Sequence, residues 1–163
     1  MLDKETFVAL IDRKSDMLYR IARTILRNDA DCKDALQETV LKAWENRHTL
    51  REAAHAGTWI TRILINECHT IGRKRRKYLL RADVTVPGSQ PPEDPALREA
   101  LDLIPEKLRL PLILHYLEGY SYHEISSILG IPATTVRSRL SRARRALQNE
   151  LVYEQEAWPN EAQ

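Results

Sequence analysis

The chain has 163 residues, 43% of them hydrophobic and 29% charged, with five glycines and few aromatics. That is enough apolar material for one domain or two small ones, and too little glycine for a barrel or sandwich built on tight turns. Net charge is only +2, no apolar run approaches the roughly 18–20 residues of a membrane span, and no secretory signal precedes the first amphipathic stretch, so a soluble, cytoplasmic protein is expected.

Phe7, Leu10 and Ile11, then Leu18, Ile21, Ala22 and Ile25, recur at helical spacing. Asn28-Asp29 breaks the run, and Asp31 or a neighbour is placed to cap a second helix reaching about Trp44. On that helix Ala35, Leu36, Val40, Ala43 and Trp44 form an inward stripe, while Asp34, Gln37, Glu38 and Leu41 share another face at i, i+3, i+4 and i+7. Carboxylates around a glutamine suit hydrogen bonds from arginines of a partner helix. The same face is also what any solvated helix presents, and spacing alone does not separate the two.

A polar stretch, Arg47–Gly57, leads to a third helix starting near Thr58, with Trp59, Ile60, Ile63 and Leu64 as its stripe. Gly72 is expected to interrupt it before the cluster Arg73–Lys77. Residues 73–81 hold six basic side chains and no acid, against 11 of each sign in residues 1–72. Residues 82–95, "ADVTVPGSQPPEDP", contain four prolines and no periodicity, which reads as a flexible linker. Helical patterns resume over Leu97–Ile104, Pro105–Leu117, Tyr122–Leu129 and Pro132 to about Tyr153. The expected architecture is all-α: two small helical domains joined by the linker. The boundaries are 1–80, a linker at 81–96, a second domain at 97–155 and an acidic tail at 156–163.

"SYHEISSILGIPATTVRSRLSRARRAL" reads as helix, turn, helix. Gly130 permits a positive-φ turn and Pro132 suits the first turn of the second helix. Val136, Leu140 and Leu147 face the first helix. Thr134, Thr135, Arg137, Ser138, Ser141, Arg142 and Arg145 remain for an outside surface, and residues 132–147 hold five arginines and no acid. A solvated basic hairpin shares this charge pattern. The turn chemistry and the small residues at the leading end favour a recognition helix in a DNA major groove.

"DALQETVLKAW" (34–44), "TWITRILINECHTIGRKRRK" (58–77) and "LPLILHYLEGYSYHEISSILGIPATTVRSRLSRARRAL" (110–147), in this order, resemble a group 4, or extracytoplasmic-function, sigma factor of bacterial RNA polymerase. The resemblance implies a σ2-like bundle and a σ4-like helix-turn-helix domain. It implies that Asp34, Gln37, Glu38 and Leu41 grip the β′ coiled coil of core polymerase, with the β flap as a second contact. It further implies that the loop at Arg47–Gly57 and the helix residues Trp59, Arg62, Asn66, Arg73, Lys74 and Arg76 read and melt a −10 element, and that the seven outward residues of 134–145 read a −35 element. Trp59 also reads as a core anchor, since it begins the apolar stripe, and Asn66 suits either backbone or DNA. The resemblance implies control by an anti-sigma factor, membrane-associated in such systems, and no stable homo-oligomer.

Neither cofactor nor metal is expected. Cys68-His69 are adjacent, whereas zinc sites use spaced pairs, and no P-loop, nucleophile elbow or paired-carboxylate motif is present. A stand-alone helix-turn-helix regulator and a protein-binding helical adaptor are the rival classes. The regulator would need a symmetric operator, and the adaptor leaves two acid-free basic patches unused.

Overall fold

The structure, a computed structural model, describes residues 2–82 and 95–157, with side chains placed as far as residue 79 in the first stretch and 151 in the second. The predicted linker lies outside the described residues from 83 to 94, and the predicted acidic tail does so from 158 onward. All regular elements among the described residues are helical. They are α1 (Lys4–Leu26), α2 (Asp29–Glu45), α3 (Ala56–Ala82), α4 (Pro95–Leu103), α5 (Glu106–Tyr116), α6 (Tyr122–Leu129) and α7 (Ala133–Ala157), with 3₁₀ turns at Arg47–Thr49 and Ala53–His55.

Helix boundaries follow local chemistry. Asp3 accepts from the Thr6 backbone N–H at 2.9 Å and starts α1. Arg27 ends it in the left-handed region, φ 58°, returning its N–H to the Arg23 carbonyl. The cap of α2 is Asn28, whose side chain accepts from the Asp31 N–H at 3.0 Å. Of the candidates Asp31 and its neighbours, the cap falls to Asn28, while Asp31 pairs through its own carboxylate with Arg75 of α3 at 2.6 Å. An N-cap of this kind is worth about 1 kcal/mol, so Asn28→Ala should lower stability by about that amount without changing the unfolding slope in urea. An unchanged midpoint would remove Asn28 from the capping role.

In the first half the core is made by Phe7, Leu10, Leu18, Ile21 and Ala22 of α1, Cys32, Ala35 and Ala43 of α2, and Ile60, Leu64, Ile65 and Cys68 of α3. Thr39 is buried among them, and its hydroxyl is satisfied by donating to the Ala35 carbonyl at 2.6 Å. Gly72 does not interrupt α3, which is continuous from Ala56 to Ala82. A Cβ there would make ordinary contact with Leu26, at 3.6 Å. The glycine costs helix propensity, but the flanking packing on α1 and α2 carries the helix through it.

In the second half Ser121 and Glu124 form a reciprocal cap on α6: the Ser121 N–H donates to Glu124 at 2.8 Å and the Glu124 N–H to Ser121 at 3.2 Å. Gly130 closes α6 at φ +65°, the left-handed conformation that the turn before α7 requires. Val136, Leu140 and Ala143 of α7 are fully buried against α5 and α6.

The two halves do not stand apart. α1 packs on α5 and α3 packs on α6, so a single continuous buried cluster runs through both. Tyr120, between α5 and α6, is 7% exposed and buries its ring against the first half.

Candidate nucleic-acid and polymerase interfaces

Asp34, Gln37, Glu38 and Leu41 are all exposed on α2, as their spacing required. Leu41 is 52% exposed. The face continues into an apolar groove of about 640 Å³ between α1 and α2. Phe7, Val8 and Ile11 line one wall, Leu36, Val40 and Trp44 the other, and Gln37 and Leu41 its rim. Sequence reasoning placed Leu36, Val40 and Trp44 inward; they are half-buried, with one side in this groove. Of the α1 wall, Phe7 and Ile11 belong to the apolar stripe read from sequence, and Val8 falls outside it.

On α3, Trp59, Arg62, Asn66 and Arg73 follow one another along one helix face, and Lys74 and Arg76 flank its end. Arg62, Asn66, Arg73, Lys74 and Arg76 are exposed, and Trp59 is half-buried. Trp59, Ile63 and Asn66 line a cavity of about 320 Å³ closed on the other side by Lys42, Asn46 and Thr49. Among the lining residues Lys42 Nζ meets Glu67 Oε1 at 2.5 Å, and this contact holds the lysine ammonium above its usual pKa. The cavity therefore offers one aromatic wall, amide and hydroxyl groups, and one tethered cation. Thr49 falls within the loop Arg47–Gly57 marked in the sequence, whereas Lys42, Asn46 and Glu67 do not. Glu67 and Lys42 are 25 residues apart, and nothing local marks them as partners. Arg75 is spent on Asp31.

On α7, Thr134, Arg137, Ser138, Ser141, Arg142 and Arg145 are exposed and Thr135 is half-buried. At 100° per residue they occupy one arc opposite Val136, Leu140 and Ala143. Arg144 lies to one side and donates to the Tyr116 hydroxyl at 2.7 Å, so it braces α7 against α5. Arg139 is half-buried.

Among the described residues no group of three or more His, Cys, Asp or Glu gathers as for a metal. Burial pushes the Cys32 thiol up to about 11 and the Cys68 thiol up to about 12, far from a reactive thiolate. No helix among the described residues is long and apolar enough to cross a membrane.

The frame is all-helical, and α6 and α7 form a helix-turn-helix. Residues 10–78 match the family model for sigma-70 region 2, and residues 95–147 that for sigma-70, region 4. The chain is 31% identical to RNA polymerase sigma factor SigV of Bacillus subtilis, over 94% of its own length and 98% of that protein's. It is likewise 31% identical to ECF RNA polymerase sigma factor SigM of Mycobacterium tuberculosis, covering 93% and 80%. Among solved structures it is similar to the sigma factor RpoE of Bartonella quintana in complex with the anti-sigma factor NepR. That match has a TM-score of 0.78 and 26% identity, over 89% of this chain and 96% of that one. The chain belongs to the extracytoplasmic-function sigma factors of the sigma-70 family. It is a transcription initiation factor, not an enzyme, of a family that binds core RNA polymerase and promoter DNA.

Proposed function

We propose that each of the three surfaces carries one task of promoter-specific initiation. The α2 face, Asp34, Gln37, Glu38 and Leu41, together with the apolar groove beside it, docks the β′ coiled coil. The α3 face and its cavity capture the opened −10 strand, and α7 enters the −35 major groove. The second half also meets the β flap. The observation that carries this reading is the separation of the surfaces. An acidic and apolar face lies on α2, a cationic face with an aromatic-walled cavity on α3, and an acid-free arginine face on α7.

Opening a duplex costs a few kcal/mol per extruded base. It becomes favourable when the base finds a pocket and the freed strand finds cations. Trp59 supplies an apolar wall, Asn46, Thr49 and Asn66 supply hydrogen-bonding groups for a base edge, and Arg62, Arg73, Lys74 and Arg76 meet the strand's phosphates. The Lys42–Glu67 pair holds an ammonium on the cavity wall. The factor works in the cytoplasm and is held in check by an anti-sigma factor, as supported by its likeness to a sigma factor solved with one.

Asn66 is exposed, so Asn66→Ala should leave the fold and core affinity unchanged. Permanganate reactivity of −10 thymines in the holoenzyme–promoter complex should fall severalfold. Undiminished reactivity would remove Asn66 and its cavity from strand capture.

A further inference from the structure

We infer that Arg47 is a positioning residue for the cavity beside Trp59: clamped on Trp44, it sets the wall that Asn46 and Thr49 contribute, and it does not itself meet DNA. The inference rests on the assignment of that cavity to the opened −10 strand.

Arg47 opens the loop that leads to α3, where a cation would ordinarily be given to a phosphate. His48 and Arg51 nearby are exposed, as such a role requires, whereas Arg47 is half-buried. Its guanidinium carbon lies 3.8 Å from the centroid of the Trp44 ring, well inside the roughly 6 Å at which a cation is drawn to an aromatic face. Arg47 Nη1 also donates to the Trp44 carbonyl at 2.7 Å. One residue therefore holds both the charge and a donor of this arginine. Trp44 is itself steadied from α1, since Phe7 meets its ring in an edge contact, centroids 5.3 Å apart and planes at 64°.

What Arg47 carries is the turn that walls the cavity. The Asn46 N–H and side-chain amide both donate to the Lys42 carbonyl, at 3.0 Å and 2.9 Å. The Thr49 N–H and hydroxyl both donate to the Asn46 carbonyl, each at 2.8 Å. These bonds fix the shape of the turn and tie its first residue to α2, and buried Leu50 anchors its far end. Between the two anchors, the stack of Arg47 on Trp44 sets the tilt of the turn. That tilt fixes how far Asn46 and Thr49 stand from Trp59, Ile63 and Asn66 across the cavity, which Arg47 does not line. Groups that read a base edge must be held to within about 0.5 Å of their working geometry. A lysine at this position would keep the charge and lose the planar stack.

The test uses preformed holoenzyme carrying Arg47→Ala or Arg47→Lys, with Asn66→Ala alongside. Promoter opening is measured across single-base variants of the −10 element. Both Arg47 variants should lower discrimination about fivefold or more at the position that Asn66→Ala also relaxes. The salt dependence of promoter affinity should stay that of the native holoenzyme. Native discrimination in either Arg47 variant would overturn the positioning role. So would a salt slope lowered by roughly one ion in Arg47→Ala, which would make Arg47 a phosphate contact. Undiminished opening and discrimination with Asn66→Ala would count against the −10 reading of the cavity instead. Hydrogen exchange on the free full chain then decides the positioning alone. Arg47→Ala should speed exchange of the Thr49 amide severalfold and leave the amides of α3 unchanged, and equal exchange at Thr49 would overturn the inference.

Discussion

Glu38→Lys should weaken binding to core RNA polymerase by about tenfold or more and reduce run-off transcription in proportion, with thermal stability unchanged. Glu38 is exposed on α2, so its replacement leaves no buried group unpaired. What changes is the sign of charge at the centre of a face with Asp34 on one side and Leu41 on the other. A charge reversal at a complementary interface adds repulsion to the loss of attraction, and such changes cost several kcal/mol when the pair is desolvated. Leu41→Ala should weaken the same complex through lost apolar contact, with little dependence on salt. Gel filtration of holoenzyme and a fluorescence titration against core would measure both. Unchanged core affinity for Glu38→Lys would take the polymerase contact away from this face.

Arg142→Ala and Arg145→Ala should fail in different ways. Both side chains are exposed on the outward arc of α7. We expect Arg142 to read a guanine edge, where a bidentate pair is worth about 1–3 kcal/mol of discrimination against the wrong base. Its removal should therefore relax one position of the −35 element while leaving the others as selective as before. Arg145 should meet phosphate. Its removal should weaken all promoters alike and reduce the dependence of log affinity on log salt by roughly one ion. Affinities across single-base variants of the −35 element measure the difference. Uniform loss for both variants would assign Arg142 to the backbone.

Much of this was legible in the chain because it is written in local periodicity. The stripe Phe7, Leu10, Leu18, Ile21 predicts α1, and Asn28 after Arg27 marks its end. Gly130 followed by Pro132 marks the turn before α7. The outward sets on α2 and α7 follow from the same spacing, since a residue that cannot face the core must face something else. The capping pair Ser121 and Glu124 was equally legible, as a serine three residues before a glutamate at a helix start, but passed unused.

What the sequence did not disclose depends on residues far apart. Glu118 meets Arg20 across 98 positions and Tyr120 meets Thr61 across 59. Glu118 and Tyr120 read locally as loop residues and Arg20 and Thr61 as ordinary helix positions, so the two halves looked independent. Which of Asp31 and its neighbours caps α2 was left open because the partner of Asp31, Arg75, lies on another helix. Gly72 looked like a break because propensity is a local quantity, and packing on both sides of α3 outweighs about 1 kcal/mol of glycine cost. The cavity beside Trp59 went unseen for the same reason, since half its wall comes from Lys42, Asn46 and Thr49.

Run-off transcription with purified core polymerase over a library of promoters tests the central claim most directly. Core with this chain should initiate on a subset of templates sharing −35 and −10 sequences, while core alone and the chain alone should give none of these transcripts. Transcription from core that is unchanged by adding the chain, on every template, would contradict the account.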